Sequence, residues 1–312
     1  MIELVIDARR KDLGGFEVGR VLPYARRRMV GPFVFLDQMG PAEFAPGADA
    51  INVRPHPHIG LSTLTYLFEG EIMHRDNLGF TQAIRPGEVN WMTAGKGVVH
   101  SERTDPLKKS QGGPMHGMQA WIALPDEKED CDPGFFHHGE DAQPAYENGG
   151  LFARLVAGEA YGAKARVNTT SPMFYVHWEL QEGVRTAPPP GTDSGGMSER
   201  ALYVAKGSIE VGDRTFHEGQ MIVLEPTAEP TVKALSRSTV MVLGGEPVGE
   251  RLIWWNFVAS SQARIDQAKA DWQAGRMSLP HEDDQEFIPL PEEPTTATLP
   301  PEPVAPQPTD PV

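Results

Sequence analysis

The chain has 312 residues, 39% of them hydrophobic and 23% charged, with a net charge of −15. That length can bury a large core without disulfides, and no apolar run reaches the ~18–20 residues of a transmembrane helix. The single cysteine, Cys131, excludes a disulfide framework and any multi-thiolate zinc or iron–sulfur site, and the acidic balance excludes direct nucleic-acid binding, which needs a concentrated basic patch.

The chain opens on MIELVIDARRKDLGG, which lacks the charged-then-apolar pattern of a secretion signal and reads as cytoplasmic. Arg26-Arg27-Arg28 reads as a solvated face. Across residues 1–280, 32 Gly and 20 Pro recur every 8–12 positions as turn signals, so the pattern predicts many short strands. Residues 61–100 alternate β-branched and aromatic runs with turns at Glu69-Gly70, Asn77-Leu78-Gly79, Pro86-Gly87 and Gly95-Lys96-Gly97. Residues 201–243 repeat that plan. TYLFEGEIMH aligns with LYVAKGSIEV, and IRPGEVNWM aligns with FHEGQMIVL. The fold class expected is all-β, with one antiparallel barrel duplicated.

The domains expected are a barrel over 1–130, a linker over 131–150 and a second barrel over 151–280. SSQARIDQAKADWQAG supplies one helix, capped by Ser260 or Ser261, with Ile265, Ala268 and Trp272 on one face and Gly275 closing it. Residues 281–312 hold eight acidic residues and nine prolines with no Lys, Arg or Gly, the composition of a disordered tail. Phe287, Ile288 and Leu290 are expected to dock on the folded body.

Four residues carry candidate chemistry. His56 and His58 stand two apart in RPHPHIG, and His100 and Glu102 stand two apart in GVVHSER. On strands, residues two apart share a face. Two such pairs on neighbouring strands of a barrel can converge on one metal ion through three imidazoles and one carboxylate. That set suits Fe(II), Mn(II), Ni(II) or Cu(II) and leaves open positions on an octahedral ion. A lone His-x-His also marks a polar strand or loop; the second pair downstream strengthens the metal reading. His74 and Asp76 are candidates for the shell around the site, or for a turn, and His116 is a candidate for the site mouth. Trp254 and Trp255 are expected to fill core or interdomain space, and His217 to lie at the surface or in a turn.

His56-Pro57-His58 with Gly70, and Gly95-Lys96-Gly97-Val98-Val99-His100, resemble the two motifs of cupin barrels. Gly95 replaces the usual Pro, and Ser62 and Thr63 stand where the first motif carries Glu. That departure, together with LGGFEVGRVLP, GPFVFLDQMGPAEF, GMQAWIALP and GGEPVGERLIWWNFVASS, resembles the pirin family over about residues 1–280.

The resemblance implies a bicupin of jelly-roll type. Its first barrel would bind one divalent transition ion, commonly iron, with Mn, Ni, Cu or Zn as alternatives, through His56, His58, His100 and Glu102. The second barrel would be metal-free. Two functions follow from the resemblance. One is a quercetin 2,3-dioxygenase, with a flavonol-like substrate and O2, in which Glu102 takes the proton of the 3-hydroxyl. The other is an iron-binding, redox-sensitive regulator that docks on a protein partner.

Overall fold

The computed structural model describes residues 1–12 and 17–292. Its strands form two barrels, each a large sheet facing a small one, and the pairings within both are antiparallel. In the first barrel the large sheet runs through Gly134–His138, Val89–Thr93, Leu61–Glu69, Gly113–Ala123, Phe33–Phe44, Glu17–Leu22 and Arg9–Asp12. Its small sheet runs through Asn52–His58, Val98–Arg103, Ile72–Asp76 and Thr81–Ile84. In the second barrel the large sheet runs through Ile2–Asp7, Gln220–Leu224, Glu199–Lys206, Ser238–Gly245, Met173–Leu180, Leu151–Ala160 and Ala145–Asn148. Its small sheet runs through Arg185–Thr186, Val232–Ala234, Ser208–Val211 and Arg214–His217.

The two orders correspond strand for strand, and the segments aligned in the sequence occupy equivalent places. The edges are exchanged. Ile2–Asp7, first in the chain, pairs with Gln220–Leu224 of the second barrel. Gly134–His138 takes the matching edge of the first barrel, against Val89–Thr93. Residues 131–150, expected as a linker, therefore supply one strand to each barrel.

Period-two alternation divides the side chains of the first large sheet. Leu36, Leu64, Tyr66 and Met118 face the second barrel and share one core with Tyr175, Tyr203 and Met241. Phe35, Asp37, Met39, Gln119 and Trp121 face inward and line a cavity. Val18, Leu67, Ile72, Ile84 and Met115 form an apolar cluster that includes Met39 and ends against this cavity.

The helix spans Gln262–Gln273, and the Ser261 side chain accepts from Arg264 N. Gly275 N bonds to Trp272 O and Arg276 N to Asp271 O, a Schellman closure that uses the positive φ of Gly275. Ile265, Ala268 and Trp272 are buried, as the periodicity predicts. The sequence grouped this helix with the second barrel. It packs instead on Ile59 and Val99 of the first, together with Trp254 and Phe257 of the hairpin Leu252–Trp254/Phe257–Ala259. No described helix is long and apolar enough to cross a membrane.

The expected disordered tail falls outside the described residues from 293 onward. Residues 281–292, expected to begin it, lie against the first barrel. Apolar and ionic anchors combine there. Phe287 meets Trp272 edge-on, and Leu290 joins the helix cluster. Asp283 forms two 2.8 Å bonds with Arg103.

Candidate metal centre

His56 and His100 are register partners on adjacent strands, as are His58 and Val98. Strand alternation turns the three imidazoles inward, with centroids 4.4 to 5.0 Å apart. All three are buried, and one ligand atom from each lies within 4.8 Å of the others. Gly95 helps set the turn before His100. Its φ is +51°, and a Cβ there would lie 2.0 Å from Cys131 O. Proline, with φ fixed near −65°, is excluded from that conformation.

The hydrogen bonds fix which ring nitrogens are free. His56 Nδ1 lies 2.9 Å from Arg54 O, and His58 Nδ1 lies 3.1 Å from Asn256 O. A carbonyl only accepts, so both Nδ1 atoms carry the proton and both Nε2 atoms keep a lone pair. His100 follows by a longer route. Asp76 Oδ1 accepts from Leu78 N and Phe80 N, while Oδ2 lies 2.9 Å from His74 Nε2. Asp76 accepts from His74 Nε2–H, so His74 carries its proton on Nε2 and its Nδ1 is left to accept from His100 Nδ1 at 3.3 Å. His100 Nε2 is left buried with no hydrogen-bond partner. Three free Nε2 lone pairs, that of His100 on a buried nitrogen without a partner, are what a metal ion requires of its ligands, so this donor set fits one.

Electrostatics agrees. Burial holds the His56 imidazole down at about 4. Burial, with neighbouring imidazoles adding repulsion, holds His58 and His100 well below the usual histidine range. All three are in the neutral form that ligates.

Glu102 is placed differently. A register shift in the pairing with Asn52–His58 falls between it and His100, and it pairs with Val53 and His74. It lines the same cavity as His56 and His58 but stands outside the three-histidine set. Burial pushes its carboxyl up to about 7.

The cavity measures about 630 Å³. Phe35 and Trp121 stack at 4.0 Å along one wall, and Arg20 lies over Phe35 while forming a bidentate 2.8 Å pair with Asp37. Trp255 lines the cavity, where the sequence placed it in core or interdomain space. Exposed Arg9 and Lys11 reach its rim. Ile288 closes another side. Its N–H donates to Pro55 O at 2.8 Å, and its carbonyl accepts from Trp272 Nε1 at 3.1 Å.

Other histidines lie elsewhere. His116, a candidate for the site mouth, faces the second barrel, bonded to Gln38 and packed on Phe68. His177, which the sequence reading did not weigh, is buried between Tyr66 and Glu179. His137 bonds Asn90, and His217 is exposed, as expected.

Two cupin barrels, one with a three-histidine centre open to an aromatic cavity, define the class. The chain belongs to the pirin family: the pirin model matches residues 15–122, and the pirin C-terminal cupin domain matches 175–278. It is 63% identical to a pirin-like protein of Caulobacter vibrioides, over 94% of this chain and 100% of that one. A crystal structure of quercetin 2,3-dioxygenase from Acinetobacter baumannii superposes with a TM-score of 0.84 at 32% identity, covering 94% of this chain and 96% of that one. The bacterial pirin YhhW of Escherichia coli, solved with nickel(II), shares the fold at TM-score 0.60 and 19% identity, over 79% of this chain and 100% of that one.

Proposed function

We propose that this pirin is a dioxygenase that opens the central ring of quercetin-like flavonols with O2. His56, His58, His100 and Glu102 of the first barrel hold one divalent transition ion, Fe(II) foremost, and the second barrel is metal-free. The observation that carries the reading is the convergence of three neutral imidazoles, each with a free Nε2, on an open aromatic cavity. The likeness to the Acinetobacter baumannii quercetin 2,3-dioxygenase supports it.

The ion supplies Lewis acidity toward the flavonol 3-hydroxyl and electron transfer to O2. The protein supplies the rest. The stacked Phe35 and Trp121 offer a flat wall to planar rings. Glu102, with a carboxyl matched to neutral pH, accepts the 3-hydroxyl proton. Both oxygen atoms of O2 enter the opened product, and the carbon that bore the 3-hydroxyl leaves as carbon monoxide. A sealed centre would suit a redox-sensitive regulator; this cavity reaches exposed Arg9 and Lys11, which favours an enzyme.

The test is oxygen uptake with quercetin, using protein stripped of metal and reloaded with Fe(II), Mn(II), Ni(II) or Cu(II) in turn. Metal-dependent uptake that vanishes in His100→Ala is expected. No uptake with any metal despite stoichiometric loading, or full uptake in His100→Ala, overturns the reading.

A further inference from the structure

The second barrel holds a cavity beside the place where the first holds its metal centre. The first cavity is lined from the strands Arg9–Asp12, Glu17–Leu22, Phe33–Phe44 and Asn52–His58, among others. The second, about 400 Å³, is lined from Ala145–Asn148, Leu151–Ala160, Met173–Leu180 and Arg185–Thr186. These are the strands in the matching positions of the two sheets. Where the first barrel presents His56 and His58, the second presents Thr186. On the strand matching that of His100, Val232 and Ala234 are packed in the core, and the cavity lies to the side of Ala145–Asn148 and Leu151–Ala160. The second cavity opens to the surface at Ala145, Tyr146 and Tyr161, and four alanines, Ala145, Ala153, Ala160 and Ala163, keep its walls low.

Backbone strain marks both cavities. Among the described residues, the non-glycine residues with positive φ are Trp255 (53°) and Tyr161 (54°). Trp255 lines the first cavity and Tyr161 the second. Each opens a two-residue hairpin loop, Trp255-Asn256 between the pair Trp254/Phe257 and Tyr161-Gly162 between the pair Ala160/Ala163. Gly or Asn suits that position, and a bulky aromatic is an outlier there. Strain of this kind concentrates at binding sites. Tyr161 is held across the rim, for its hydroxyl donates to Ala187 O at 2.9 Å and accepts from the Trp178 indole.

No charged residue lines this second cavity, so an ion would enter it without a partner. Tyr146 and Tyr161 present aromatic surface, buried Trp178 lies behind it, and Thr186 offers one hydroxyl. The volume lies within the ~300–1,000 Å³ of small-molecule sites. We infer that the second barrel is a binding site for a small, uncharged aromatic molecule, seated beneath Tyr161. The site is independent of the metal and of the first barrel's reaction.

The probe is 5-fluoroindole, neutral and a poor metal ligand, titrated into the metal-loaded full chain and followed by 19F NMR. A saturable 1:1 shift is expected. Ala153→Phe and Ala163→Leu, which fill the cavity, should each weaken binding at least tenfold; if one fails to fold, the other decides. Tyr161→Asn, which suits the turn but removes the aromatic cover, should weaken it at least fivefold with the fold kept. Ile288→Trp, which crowds the metal cavity instead, should leave affinity unchanged. Absence of a saturable shift, unaltered affinity in the filled variants, or loss of binding in Ile288→Trp overturns the inference.

Discussion

His100 Nδ1 lies 3.3 Å from His74 Nδ1, and His74 passes the contact on to Asp76. Two imidazoles can share a hydrogen bond between like nitrogens only if their tautomers differ, and Asp76 decides which is which. The carboxylate accepts from His74 Nε2–H, so His100 must present Nε2 bare to the site. Removing this support should weaken metal binding without removing a ligand. Asp76→Asn can satisfy His74 either way round and releases the tautomer choice. His74→Phe leaves His100 Nδ1 without its acceptor. Each is expected to lower metal affinity ~10–100-fold, read by competition with a chromophoric chelator. Unchanged affinity in both variants would show that the relay does not orient His100.

The same burial that readies the imidazoles makes the metal-stripped protein acid-sensitive. Between pH 6.5 and about 4 the unfolded chain binds a proton at His56 that the folded chain refuses, so stability falls as pH drops. His56 alone accounts for about 3 kcal/mol over that window. His58 and His100 act in the same direction. Glu102 opposes them. Its folded carboxyl keeps a proton up to about 7 that the unfolded one loses near 4.5, so between those values it offsets one histidine. Two histidines of the centre remain. His116, His138 and His177, also lowered by burial, add in the same direction, and the net effect is destabilisation on acidification from pH 6.5. Urea denaturation of stripped protein at pH 7 and pH 5 measures it. Equal midpoints would contradict neutral buried imidazoles.

Gly95 ties the fold to the centre through its turn. Gly95→Ala forces a Cβ to within 2.0 Å of Cys131 O at a φ of +51°, so the backbone must move. The left-handed conformation alone costs ~1–2 kcal/mol; with the clash added, destabilisation above about 2 kcal/mol is expected. Thermal unfolding of the variant checks it, and a melting point equal to that of the parent would refute the constraint.

The histidine triad was legible because strand periodicity and pairing make i and i+2 residues converge, and His56-x-His58 and His100 obey that rule. Glu102 keeps register with His100 against Ile72–Asp76 and lines the same cavity, while the irregularity lies in Asn52–His58, where three steps from His56 to Val53 face two from His100 to Glu102. The cavity wall was illegible for a different reason. FVFL is apolar throughout because Leu36 packs toward the second barrel and Phe35 toward the site, so no alternation separates Phe35 from Leu36. Long-range partners leave no local trace either. Asn256 supplies the carbonyl for His58 from 198 residues away. The helix face was correct, but nothing in its periodicity said which barrel it would cover.

The strap around Ile288 closes the metal cavity from outside the first barrel. Ile288 lines the metal cavity and is held by backbone bonds to Pro55 and the Trp272 indole. Phe287 on Trp272 and the Asp283 pair with Arg103 anchor its flanks. Arg103 adjoins Glu102, so the strap's ionic clasp is fixed to the strand that carries His100. Truncation after Leu279 removes the wall and exposes the Trp272 edge. Ile288→Ala removes only the side chain. Both are expected to speed metal extraction by a bulky chelator at least fivefold. Both should also raise kcat/KM for a glycosylated flavonol relative to quercetin. Arg103→Gln should give a partial effect that grows with salt, because the remaining ion pairs of the strap are exposed and screened. Unaltered extraction and an unaltered substrate ratio in the truncated chain would mean that Ile288 covers the cavity without controlling entry to it.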